Sequence, residues 1–182
     1  MRKVLYILGE LNDEDVEWMA TTGRKRVAGE GTQTLIQQGT PSSDLFFVLD
    51  GHAVVTVKGV GEVARLGTGE VVGEMSFVDS APPSATVATE AGCVTLALDK
   101  RSIQARLRSD TGFAARFYRA LALFLADRLR SANSQRSGAA NLGSKAIDED
   151  ELDEALLDTV SLAGLRFERM LEILSTAPVM AG

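Results

Sequence analysis

The chain has 182 residues with one cysteine and one histidine, enough for one ordinary domain with an appendage and too short for two full cores. Cys93 alone cannot form an internal disulfide. Together Cys93 and His52 leave no cluster with metal-ligand spacing and no Ser-His or Cys-His pair, so the composition points to binding rather than catalysis, with no metal. The formal net charge of −6 sits entirely at the end of the chain: residues 1–137 hold 16 basic and 16 acidic groups, residues 138–182 hold 3 and 9, so the tail would repel DNA or another polyanion.

The opening residues carry no small-residue cleavage site, and no apolar run approaches the roughly 20 residues of a membrane span. A cytoplasmic protein without a membrane segment is expected. Asn12-Asp13-Glu14-Asp15 supplies a cap and an acidic first turn for a short helix through Val16, Met19 and Ala20, ended by Gly23. Beyond it the apolar period changes to two. Segments 34–37, 45–49, 53–58, 63–66, 85–89 and 94–98 are short, rich in Val, Leu, Thr and Phe, and separated by glycine-containing turns such as Asp50-Gly51. Such evenly punctuated strands predict an antiparallel sandwich or barrel. Cys93, in an apolar run, reads as a small buried hydrophobe, and His52 as a surface residue at a turn.

From Lys100 the helical period returns. Asp99 can cap a short helix reaching Arg108, and Asp110 or Thr111 a long one, GFAARFYRALALFLADRLRSANSQ. Its Phe113, Phe117, Leu121, Phe124, Leu125 and Leu129 recur at three- and four-residue steps, a stripe over 113–129 wide enough for core packing and for a partner helix as well. A homodimer through this helix is expected. Residues 137–147 read as a linker. Asp148 and Glu151 then have capping-box spacing, and Leu156, Val160, Ala163, Phe167, Met170 and Leu174 form a seam on an acidic amphipathic helix over 148–176, before a short tail, 177–182. A lone helix of this length is marginal in water. It can dock on its own domain, on a second copy, or on a different protein partner.

The stretch GEVVGEMSFVDSAPPSAT, residues 69–86, combines a Gly73-Glu74 pair, a short apolar turn, a loop and the trio Ser84-Ala85-Thr86. With the leading helix, the short strands, the Asp50-Gly51 turn and the paired helices after them, it resembles the cyclic nucleotide-binding domain, over about residues 10–135. The resemblance implies a mainly β fold with flanking helices: an eight-stranded jelly roll with its hinge helix and long helix in residues 1–136, plus the C-terminal helix. It implies a ligand such as cAMP or cGMP held by Gly73, Glu74, Met75, Ser76, Ser84, Ala85 and Thr86. Glu74 would take the ribose 2′-hydroxyl, Gly73 would let the backbone approach, the amides of the turn beginning at Met75 and Ser76 would face the phosphate, and Ser84 and the Ala85 amide would donate to it.

One position departs from that pattern. Where ligand-binding members carry an arginine nine residues after the glutamate, this chain has Pro83. Losing a charge-assisted hydrogen bond is expected to weaken nucleotide binding by about ten- to a hundredfold, and proline has no N–H to offer instead. Arg65, Arg128 and Arg130 are the candidate substitutes.

The reading that follows is a regulatory sensor that binds a cyclic nucleotide weakly or atypically and signals to a protein partner through its C-terminal helices. The alternative is a nucleotide-independent scaffold on the same fold. A transcription factor is disfavoured by the acidic tail and the absence of a basic recognition helix, and a cupin-type enzyme by the single histidine.

Overall fold

The computed structural model describes residues 7–137, 154–176 and 180–181. Helix α1, Asp13–Thr22, starts at a reciprocal capping box in which the Asn12 side chain accepts from the Asp15 amide and the Asp15 carboxylate from the Asn12 amide. Val16, Met19 and Ala20 bury its apolar side. The strands follow: β1, Arg24–Val27; β2, Gln33–Ile36; β3, Asp44–Asp50; β4, Ala53–Val57; β5, Gly61–Leu66; β6, Val71–Val72; then, after the short helix α2, Glu74–Val78, β7, Thr86–Thr89, and β8, Val94–Asp99. Helices α3, Lys100–Ser109, and α4, Thr111–Ser137, come next, then α5, Glu154–Thr176, and a terminal strand β9, Met180–Ala181.

Two sheets result, in the orders β6-β3-β8-β1-β9 and β2-β7-β4-β5. This is the expected jelly roll, β1–β8, with β9 added. Strand β3 separates two cores by simple alternation. Its Leu45, Phe47 and Leu49 face the helices, and its Phe46 and Val48 face the second sheet. Gly51 makes the turn after β3 with φ 79°, where a Cβ would lie 2.9 Å from Cys93 Cα. Cys93 is buried as expected, and burial pushes its thiol up to about 11.

Asp99 caps α3 by accepting from the Ser102 amide at 2.9 Å, and Asp110 caps α4 by accepting from the Phe113 amide at 2.8 Å. Asp15 ties these helices to α1. It is fully buried, accepts from Arg106 Nη2 at 2.9 Å, and takes a two-pronged contact from Arg116 at 2.7 and 3.1 Å.

Several expectations need correction. Strand β1 reads RKRV, too basic to be recognised from its sequence, yet it pairs antiparallel with β8 from Arg24↔Ala97 to Val27↔Val94. The tail is not merely a tail, because β9 pairs in parallel with β1. The stripe of α4 is taken up by the chain's own core, where Phe113, Phe117, Leu121 and Phe124 are buried and Leu125 packs at the edge. Leu129, the last residue of the stripe, stays exposed, as does Tyr118.

The C-terminal helix docks on its own domain, the first of the three alternatives. Ala163, Met170 and Leu174 enter the helix-side core, and Arg166 bonds Asp13 at 2.8 Å and the carbonyls of Leu8 and Gly9. A seam of this kind finds the nearest apolar face, and α1 presents one. Most of the linker, the acidic stretch with Asp148 and Glu151, and the side chains of Leu156 and Val160 lie outside the described residues.

Candidate functional site

A cavity of about 380 Å³ opens between the second sheet, α2 and the loop before β7. Ile36, Val55, Val57, Leu66 and Val87 form its apolar wall, and Gly73, Glu74, Met75, Ser76, Pro83, Ser84 and Ala85 its other side. Six of the seven ligand positions expected from the sequence therefore converge, together with Pro83. Thr86 does not. Alternation along β7 turns it away, and its hydroxyl accepts from the Gln38 amide at 3.0 Å and from Gln37 Nε2 at 3.3 Å.

Gly73 precedes α2 in the left-handed region, φ 90°. A Cβ here would lie 3.1 Å from Ile36 Cδ1 and 3.3 Å from the Asp44 carbonyl oxygen. Gly73→Ala is therefore expected to destabilise the fold by about 1–2 kcal/mol, checked by urea unfolding. A loss of only a few tenths would show that the cradle backbone can relax.

The turn at Gly73 puts Glu74 inside the cavity with 2% of its surface exposed. Its partner is Arg128 of α4, whose Nη1 donates to Glu74 Oε1 while its Cζ lies 5.4 Å from the Phe124 ring centroid. Burial raises the Glu74 pKa above the usual carboxylate range, against the opposing charge of Arg128.

Of the three candidate substitutes, only Arg128 reaches the cavity. Arg65 is bound to Glu90, and Arg130 is exposed and absent from the lining. Helical phase carries a signal for this choice, since Phe117, Leu121, Phe124 and Arg128 fall on one face of α4. Two further residues escaped sequence reading. Asp79 lines the rim, and its carboxylate accepts from the Ala81 amide at 2.9 Å. Lys100, half-buried at the start of α3, donates to Ser76 Oγ at 3.2 Å from behind the cradle. Burial lowers its pKa, partly offset by Asp44 and Glu74.

The proline segment is fixed by the Gly39 amide, which donates to the Pro83 carbonyl at 2.8 Å. The site thus combines a buried carboxylate, a left-handed glycine and a short helix between sheet and loop. Residues 27–110 match the family model for the cyclic nucleotide-binding domain. Residues 27–110 are a domain of the cyclic nucleotide-binding family.

Glutaminase 2 of Bradyrhizobium diazoefficiens is 32% identical over 132 residues, which are 71% of this chain and 20% of that protein. The chain thus spans about a fifth of the length of this curated relative. Among solved structures, a cyclic nucleotide-binding domain from Methylobacillus flagellatus superposes with a TM-score of 0.65 at 21% identity, over 79% of this chain and 85% of that one. The N-terminal domain of a transcriptional regulator from Streptomyces coelicolor gives 0.57 at 26% identity, over 79% and 100%. Among the described residues no helix is long and apolar enough to cross a membrane.

Proposed function

We propose that this chain is a regulatory module in which a ribose-bearing ligand, with cAMP and cGMP bound weakly, enters the Glu74 cavity and is reported to the rest of the molecule by helix α4. One observation carries this reading: among the described residues the cavity is lined by a single cation, Arg128, and it comes from α4 and holds the buried carboxylate of Glu74. A ligand hydroxyl donating to Glu74 competes with Arg128 or is bridged by it. Either outcome changes what holds α4 against the cradle, and the ligand shifts the helix only by as much as it prefers one arrangement.

Phe113 and Phe117 anchor the same helix in the core, so its displacement is felt at α1 and α3. Outward faces are left for partners, at Tyr118 and Leu129 on α4 for a second copy, and at Leu162, Leu165 and Leu171 on α5 for a different protein. A cytoplasmic setting belongs to the same proposal.

Trp18, the single tryptophan of the chain, lies 5.5 Å from the Phe113 ring and reports on α4. Titrating ligand-stripped protein with cAMP and cGMP is expected to give a weak, saturable change in Trp18 emission that Glu74→Ala abolishes. Heat of binding without any emission change would argue against signalling through α4. A second reading, a nucleotide-independent scaffold, is favoured by the fact that Glu74 already has a counter-charge from within the chain. It predicts neither heat nor emission change.

A further inference from the structure

We propose that the ligand of this cavity is an uncharged ribonucleoside rather than a cyclic nucleotide; this rests on the cavity being a ligand site, as argued above. The charge arrangement leads there. Among the described residues the titratable side chains lining the cavity are Glu74, Asp79 and Arg128, and Arg128 is committed to Glu74. A cyclic phosphate would bring one more negative charge into a space whose lining is already acidic on balance, and a buried charge is costly without a matching counter-charge.

The position where that cation is expected is instead Pro83, preceded by Pro82, so the N–H and hydroxyl donors at Met75, Ser76, Ser84 and Ala85 line the cavity without a cation of their own to balance a phosphate. The amide before the two prolines, that of Ala81, is held by Asp79. Lys100 is the other nearby cation. It does not line the cavity, and it reaches Ser76, whose hydroxyl sits 3.3 Å from the Gly73 carbonyl oxygen and donates to it. Lys100 thus offsets Glu74 and Asp44 from behind rather than meeting a ligand's phosphate.

The hydroxyl-binding half is intact by contrast. Glu74 is buried in the cavity, and a carboxylate keeps acceptor capacity beyond the one bond to Arg128. The apolar wall of Val55, Val57, Val63 and Leu66 offers a dry surface for a base. The volume of about 380 Å³ is near the small end of the ~300–1,000 Å³ usual for small-molecule sites. That suits one nucleoside and not a cyclic dinucleotide.

The test is calorimetric titration of the full chain with adenosine, guanosine, cytidine and uridine, against cAMP and cGMP. At least one nucleoside is expected to bind about tenfold or more tightly than the cyclic nucleotides, and its 2′-deoxy form about ten- to a hundredfold less tightly than the ribo form. Pro83→Arg is expected to reverse the order by tightening cAMP or cGMP about ten- to a hundredfold. Should that variant fail to fold, the wild-type comparison decides alone.

Cyclic nucleotide binding as tight as or tighter than every nucleoside overturns the inference and leaves the regulatory reading standing. Nucleoside binding that leaves Trp18 emission unchanged supports the inference and removes the signalling role of α4. No binding by any of the six compounds overturns both.

Discussion

Asp15→Ala is expected to destabilise the domain by about 3–5 kcal/mol, the range seen when one member of a buried ionic cluster is removed. Asp15 has no exposed surface, and its carboxylate accepts from the Asn12 amide, Arg106 and Arg116 at once. Alanine deletes the only carboxylate among the described residues that joins α1, α3 and α4, together with half of the α1 capping box. The damage concentrates at Arg106. Its guanidinium lies 4.7 Å from the Trp18 ring centroid and 4.3 Å from that of Phe113, and its Nη1 already lacks a hydrogen-bond partner. Without Asp15 its nearest carboxylate is Asp110, 3.9 Å away.

Urea unfolding followed by Trp18 emission measures the loss. Asp15→Asn separates charge from shape, because the amide keeps an acceptor for the Asn12 N–H but cannot balance two guanidiniums, and it should lose most of the same stability. A loss below about 1 kcal/mol in both variants would show that the two arginines swing to solvent and that the cluster contributes little.

Asp15 also marks the limit of sequence reading. In the sequence it is one of three acids in a helix's first turn, a surface electrostatic role, and the residues that make it central lie 91 and 101 positions away. Local signals were legible: the caps Asn12, Asp99 and Asp110, and the alternation of β3, which places Leu45 and Phe46 on opposite sides. Strand β1 was not, because its basic side chains lie along the sheet with their charges satisfied from elsewhere. Arg24 reaches Asp44 at 2.7 Å, and Arg26 lies 5.9 Å from the centroid of the Phe46 ring.

The cradle was readable because Gly73, Glu74, Pro83 and Ser84 lie close together in the chain. Thr86 adjoins Ala85 in the chain, but the strand's alternation leaves it outside the cavity lining. The seam of α5 was legible as apolar, but a seam does not name the face it meets, and only α1 and the Arg166 contacts do so.

Arg128→Ala is expected to cost about 1.5–3 kcal/mol near neutral pH, the worth of a hydrogen bond to a charged group. The figure lies below the range for fully buried pairs because the Arg128 side chain keeps 30% exposure. The cost should depend on pH in a definite direction. Burial already raises the Glu74 pKa in the folded state, and Arg128 is what opposes the rise. A carboxyl whose folded pKa exceeds its unfolded one contributes most below the unfolded value, and that contribution is lost as pH climbs through the folded value.

Removing Arg128 moves the folded value further up, so the window of falling stability extends toward neutrality. The variant should differ little from the parent near about pH 4, where Glu74 is largely protonated in both, and fall behind as pH rises toward about 7. Glu74→Gln in the Arg128→Ala background supplies the control, since a neutral amide needs no counter-charge. The double variant should regain stability at neutral pH and lose the Glu74 pH dependence, and with the Glu74→Gln single variant it closes the cycle that gives the coupling energy of the pair. Equal losses at both pH values, or a double variant no more stable than Arg128→Ala, would mean that Arg128 acts by packing on Phe124 and not by holding the carboxylate.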